Sequence, residues 1–473
     1  MITQIEIDGF KTFKDFKVEL APFQVIVGAN GSGKSNLFDA LQLLGRLAEM
    51  DLREAFQGLR GEPDEVFTNS SVEKPTRKIR IAVEMLVNPT VKDSLGREEK
   101  LRTQRLRYQV EIERGVEEYN FDKLEVVFES LAPIPTTKDA WSQIYIPTLI
   151  RDRLLSDTKT DIFMLSGFFP ISPEPLKHTF VMNFYADGRG REASLEVVGG
   201  TALRGVTNTE YPHAFAVREE LRSLQFFHFN PTSLRQPSST RSPQTFASDG
   251  KNIASTLFRM QREDKFALGD ISRDMANLVP GMLKIRVERD KLGDRYVIYA
   301  DMADRGVFSA QVLSDGTLRL LALATLKNDP QLHGILCLEE PENGVSPLHL
   351  ERMARLLRDM ATDLNDPKQA NKPLCQVLIT THSPLFISQP DVIDALLLAI
   401  VPTRVQDKTN PVRVTIMAPA ITSEALSHLE NVSRDDKALG AYTANVLKSY
   451  LNSELLEDAR ERLEKGHKEL NER

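Results

Sequence analysis

Eight residues constrain this chain more than any others. Gly28-Ala29-Asn30-Gly31-Ser32-Gly33-Lys34-Ser35 follow the short apolar run Phe23 to Val27. They precede Leu37, Ala40, Leu41, Leu44 and Leu47, which recur at helical spacing. Strand, glycine loop and helix in that order are the context that G-x-x-x-x-G-K-[ST] requires. Glycines at 28, 31 and 33 let backbone N–H groups curl around an anion without a Cβ in the way. Lys34 can reach the outer phosphates as a compact cation, and Ser35 can offer its hydroxyl to Mg²⁺. The helix then presents its positive end to the same anion. The pattern predicts a nucleoside triphosphate site, for ATP or GTP, in an α/β fold.

Three further pieces fit that chemistry. Ile335 to Leu338 is a buried-strand run that delivers Glu339 and Glu340 before Pro341. Adjacent acids on a strand point to opposite faces, so they cannot share one role. The first can help hold the metal, and the second can polarise an attacking water. Leu313-Ser314-Asp315-Gly316-Thr317 opens a helical run; alone it is a helix cap, and it can also form a second anion-binding corner. His382, in Thr380-Thr381-His382-Ser383, stands just past a strand end, where ligands bind in open α/β sheets.

Composition sets the outer limits. The chain has 473 residues and a net charge of −7, which leaves DNA contact to a local patch rather than a basic coat. Cys337 and Cys375 cannot make a disulfide framework, and their apolar surroundings suggest reduced thiols in a cytoplasmic protein. The N-terminus lacks the pattern of a signal peptide. The longest apolar run, Ala395 to Val401, is far short of the ~20 residues that span a bilayer.

The four pieces, in this order, resemble the ABC-type ATPases of the RecF/SMC-like branch. Gly28 to Asn36 looks like that branch's G-x-N-G-S-G-K-S-N, and Gly9-Phe10-Lys11-Thr12-Phe13-Lys14-Asp15-Phe16 is similar to its strand-turn entry. Glu339-Glu340-Pro341-Glu342 resembles the E-E-P-E form of RecF-like and OLD-like ATPases. The resemblance implies an ABC-type P-loop NTPase head, with a mixed sheet and an antiparallel β subdomain, split by a mixed α/β or helical insertion. It implies that Gly28, Asn30, Gly31, Ser32, Gly33, Lys34, Ser35 and Asn36 bind ATP. Ser35 and Glu339 would serve Mg²⁺, and Glu340 and His382 would act with Lys34 in hydrolysis. Ser314 and Gly316 would contact ATP bound to a second copy, in a head-to-head homodimer that could extend to a higher oligomer.

The resemblance further implies four segments: residues 1–131 and 281–420 as the two parts of the head, 132–280 as an insertion, and 421–473 as a helical tail. OLD-like proteins carry a TOPRIM nuclease domain after the ATPase, and this chain has no matching Asp-x-Asp strand. The expected role is an ATP-driven switch for a separate effector, such as a TOPRIM or HNH nuclease, in bacterial anti-phage defence. A RecF-like ATPase that binds DNA in repair or recombination is the alternative. No membrane partner is expected. The sequence departs from the family at Glu339, where Asp is usual, at Ser346, where Asp or His is frequent, and at the glutamine loop, which has no clear match, Gln57 being a weak candidate. Two stretches stay open: Arg97 to Arg107, a phosphate-contacting patch or a solvated hairpin flank, and Phe226-Phe227-His228-Phe229, a base-stacking surface or a core strand.

Overall fold

The computed structural model describes residues 1–420 apart from 62, 69–75, 117–121, 149–150, 152–163, 169–177, 185–190, 198, 305, 370–371, 402 and 406–410. The expected tail, 421–473, lies outside the described residues.

A six-stranded sheet organises the head. Its order is Leu224–Phe227, Gly334–Glu339, Cys375–Thr381, Phe23–Val27, Leu396–Ile400 and Ile416–Pro419. The first five strands are parallel and the sixth is antiparallel. Apolar residues fill both faces, which is why these strands read as continuous apolar runs rather than alternations. Ile26, Ile335, Cys337, Leu378 and Leu397 face one core, with Leu37, Phe38, Leu41 and Leu44 of the helix Lys34–Leu47. Val25, Val27, Leu336, Leu338, Val377 and Ile379 face the other. That second core takes the apolar stripes of four helices: Ile253–Glu263, Ala267–Leu278, Asp315–Asn328 and Leu350–Met360.

An eight-stranded antiparallel sheet closes the first core from the far side. Ile2–Asp8 pairs with Phe16–Glu19 and with Lys78–Leu86, which leads outward to Arg105–Val116 and Asp122–Pro133. Met164–Phe168, His178–Phe184 and Arg191–Val197 continue the same sheet. The sequence sets residues 132–280 apart as an insertion; in the structure the described residues of this range join several elements. Their strands add to this sheet, Leu224–Phe227 pairs with Gly334–Glu339, and their last two helices pack in the second core. Backbone pairing at open sheet edges recruits these segments, and it leaves little trace in side-chain periodicity.

Cys337 is buried and Cys375 half-buried, and neither forms a disulfide. Burial pushes the Cys375 thiol up to about 12. Among the described residues no helix is long and apolar enough to cross a membrane.

Candidate nucleotide site

The strand order brings three of the four sequence motifs together. Cys375–Thr381 lies between Gly334–Glu339 and Phe23–Val27, with Glu339 beside Thr380 and Thr381 beside Val27. The acid pair, His382 and the glycine loop therefore leave the carboxyl ends of three adjacent parallel strands. That edge is where ligands bind in open α/β sheets.

The loop is built around absent side chains. Gly33 adopts φ 93°, a left-handed conformation that favours glycine, and a Cβ there would stand 2.3 Å from Thr415 Oγ1. A Cβ on Gly28 would meet the Ala399 carbonyl at 2.4 Å. The helix Lys34–Leu47 has no side-chain N-cap and no acid in its first turn, so its positive end is open to an anion. Lys34 is buried, and its Nζ donates to the carbonyls of Gly28 at 2.6 Å and Ala29 at 3.1 Å. Burial lowers its pKa, while the charge of Glu340 acts in the opposite direction. Among the described residues the buried Ser32 hydroxyl has no hydrogen-bond partner, the mark of a cradle shaped for a polar group. Asn30, Gly31 and Ser35 are exposed along the loop. Asn36 turns elsewhere: its Nδ2 donates to Thr12 Oγ1 at 2.9 Å, and that hydroxyl meets Thr415 Oγ1 at 2.7 Å.

The two acids take different partners: the strand ends at Glu339, and Glu340 lies just beyond it. Glu339 Oε1 accepts from Arg60 Nη2 at 2.6 Å, and Oε2 lies 3.8 Å from His228 Nδ1. Arg60 also pairs with Asp39 at 3.2 Å, and Lys11 Nζ holds Asp39 at 2.7 Å. Glu340 has φ 46°, left-handed backbone on a residue with a Cβ. Its Oε1 lies 2.5 Å from His382 Nδ1, and its Oε2 accepts from Asn343 Nδ2 at 2.7 Å. A carboxylate only accepts, so chemistry assigns the proton to Nδ1 of His382. Glu342 is buried, and one of its oxygens accepts from the Thr381 hydroxyl while the other has no partner among the described residues. Burial raises its pKa.

The fourth motif caps a helix. Ser314 Oγ accepts from Thr317 N at 3.2 Å at the start of Asp315–Asn328, and Ser314 itself is exposed. Gly316 lies against the loop that follows the acids: a Cβ there would stand 2.5 Å from the Gly344 carbonyl. Arg235 braces the turn, donating to Gln311 O at 2.9 Å and Leu313 O at 2.7 Å and pairing with Asp315.

Several of these residues carried no usable signal. Arg60 sits in a stretch without periodicity, three residues beyond Gln57, and only the tertiary fold brings it to Glu339. The strand ends at Phe227; Phe227 and Phe229 are buried in the second core and Phe226 is half-buried against the first, while His228 lies near Glu339. Within the basic stretch, Arg105 is buried in a two-pronged pair with Asp139, and Arg107 pairs with Glu6. Those two cations stabilise the antiparallel sheet. Among the described residues no cluster of three or more His, Cys, Asp or Glu side chains could hold a metal alone. A Mg²⁺ site of one hydroxyl and one carboxylate, completed by phosphate oxygens and water, is compatible with Ser35 and Glu339.

A glycine loop on a parallel strand, with acids and a histidine on the neighbouring strand ends, defines a P-loop ATPase head. Comparison with known proteins carries this to a family. Residues 1–131 match a family model described as "AAA ATPase domain", and residues 213–388 match one described as "AAA domain, putative AbiEii toxin, Type IV TA system". Both descriptions are of AAA-type ATPase domains, and the two matches lie on either side of residues 132–212. The chain is similar to the chromosome partition protein Smc of Desulfitobacterium hafniense, 40% identical over 85 residues, and to that of Bordetella petrii, 39% identical over 89 residues. These stretches are 17% and 18% of this chain and 7% of each relative's length. Among solved structures, an Smc head bound to the C-winged helix domain of ScpA aligns with a TM-score of 0.46 and 15% identity, over 88% of this chain and 98% of that one. The SMC head domain from Thermotoga maritima aligns with a TM-score of 0.39 and 13% identity, over 89% and 98%.

Proposed function

We propose that this protein binds and hydrolyses Mg²⁺·ATP and works as a dimerising switch for a separate effector, a nuclease in a bacterial defence system. The observation that carries the ATPase part is the convergence of the glycine loop, the acid pair and His382 on three adjacent strand ends. Backbone N–H groups of the loop and the helix end would cradle the phosphates, with Lys34 exchanging its two carbonyl partners for phosphate oxygens. Ser35 and Glu339 would hold Mg²⁺, which neutralises charge on the outer phosphates when bound. Arg60 must first leave Glu339 Oε1. His382, half-exposed and tied by its Nδ1 to Glu340, would turn to the terminal phosphate and free Oε1 of Glu340. Glu340 would then take a proton from the attacking water as the new P–O bond forms, and the bridging P–O bond breaks toward ADP.

Support for dimerisation is the position of Ser314, which is exposed and braced from behind by Arg235 rather than set into its own glycine loop. Support for a defence role is the family matched by residues 213–388, which is described by a toxin of a type IV TA system.

Replacing Glu340 by Gln tests the reading. The variant is expected to bind ATP, lose turnover by ~10²-fold or more, and accumulate as an ATP-dependent dimer in light scattering. Wild-type turnover would remove Glu340 from its role, and a monomer in saturating ATP would remove the dimer. Co-purification of a stoichiometric nuclease subunit tests the effector; DNA cleavage by the isolated chain would refute its being separate.

A further inference from the structure

The acid strand ends in a short turn whose geometry has a purpose beyond reversing the chain. Glu340, Pro341, Glu342 and Asn343 form a four-residue turn, closed by the Asn343 N–H donating to the Glu340 carbonyl at 3.2 Å. Pro341, second in the turn, restricts its backbone. Such a turn brings its first and fourth residues together, and here their side chains meet: Asn343 Nδ2 donates to Glu340 Oε2 at 2.7 Å. The turn is pinned on three sides. Glu340 N donates to Thr380 O at 2.9 Å, buried Glu342 accepts from the Thr381 hydroxyl, and Gly344 lies under Gly316.

Glu340 is thereby gripped by two partners of different kinds. His382 stands at the end of its strand with half its side chain exposed, while Asn343 is fixed within the pinned turn. When the histidine leaves, the amide stays.

We propose that Asn343 is the positioning residue for Glu340: it holds Oε2 in one orientation so that Oε1 alone faces the attacking water. The inference rests on the assignment of Glu340 as the acid that activates water. It explains how a carboxylate at a strained backbone position keeps a single aim through a cycle in which its other partner moves.

The test compares Asn343→Ala and Asn343→Asp in the full chain, by steady-state hydrolysis of Mg²⁺·ATP, thermal melting and binding of a fluorescent ATP analogue. Asp has nearly the volume of Asn but no donor, and it sets a like charge beside Glu340. Both variants are expected to lower kcat by ~10- to 100-fold with KM and nucleotide affinity within about threefold of wild type. Asp should be at least as slow as Ala, with melting temperature preserved. Near wild-type turnover of the Asp variant would overturn the proposal, because space-filling would then suffice. Loss of affinity in step with kcat would overturn it too. A Glu340→Gln variant run alongside separates the two readings. If Glu340→Gln turns over normally, the assignment of Glu340 fails. If it is inactive while Asn343→Asp is fast, only the role of Asn343 fails.

Discussion

Gly316→Ala adds one methyl group at a place where the structure leaves no room for it. The new Cβ would stand 2.5 Å from the Gly344 carbonyl oxygen and 3.2 Å from Val345 Cα. Both are backbone atoms, so no side chain can rotate away. Reaching ordinary contact requires a shift of about 1 Å between the start of the helix Asp315–Asn328 and the loop after the acids. Overpacking of this kind costs about 1–3 kcal/mol. The same displacement reaches Glu340, because the loop is continuous with the turn that carries it, and a 1 Å misplacement of a reacting group can cost ~10²-fold in rate. Two measurements follow from one change: unfolding in urea should show the stability loss without nucleotide, and steady-state hydrolysis should show the rate loss. Gly31→Ala is the contrast. Nothing lies within 4 Å of its added Cβ, but its φ of 79° makes any side chain strained, so its cost is about 1–2 kcal/mol of backbone conformation alone. Gly316→Ala at wild-type stability and turnover would refute the reasoning that the two segments are in rigid contact.

Two predictions concern the surroundings of the site. Asp39→Ala should destabilise more than Arg60→Ala. Asp39 is buried, and its loss leaves the Lys11 ammonium without its carboxylate and with the Arg60 carbonyl at 3.0 Å, at a cost of about 2–3 kcal/mol. Arg60 is more than half exposed, and its pairs are worth at most about 1 kcal/mol; urea unfolding of both variants checks the order. Glu129 is fully buried, accepting from the N–H groups of Ala202 and Leu203 and the Tyr108 hydroxyl, and burial raises its pKa to about 7. A folded-state pKa above the unfolded value means the folded form binds the proton more tightly. This contribution is complete below pH ~4.5 and lost as pH rises through ~7, on the order of 3 kcal/mol. Glu129→Gln should therefore flatten the stability profile between those limits; an unchanged slope would refute the assignment.

Local chemistry determined what could be read along the chain. A glycine loop between an apolar strand and a helix needs no tertiary information, because each residue type in the pattern suits a phosphate. The Glu339–Glu340 pair was legible as two carboxylates closing an apolar run, but the strand ends at Glu339, and Glu340 lies beyond it in left-handed backbone. Runs apolar on every position announced strands covered on both faces, and the two cores bear this out in Ile26 against Val25 and Val27. The tertiary structure alone decided which distant residues meet. Arg60 reaches Glu339, Asn36 turns to Thr12, and Arg235 braces Ser314, because the sheet order folds separate segments onto one edge. It also decided where residues 132–280 go, since strand edges pair through backbone groups common to every residue. The E-P-E-N turn lies between these cases: its proline and spacing were visible, but only the folded chain aimed the Asn343 amide at the Glu340 carboxylate.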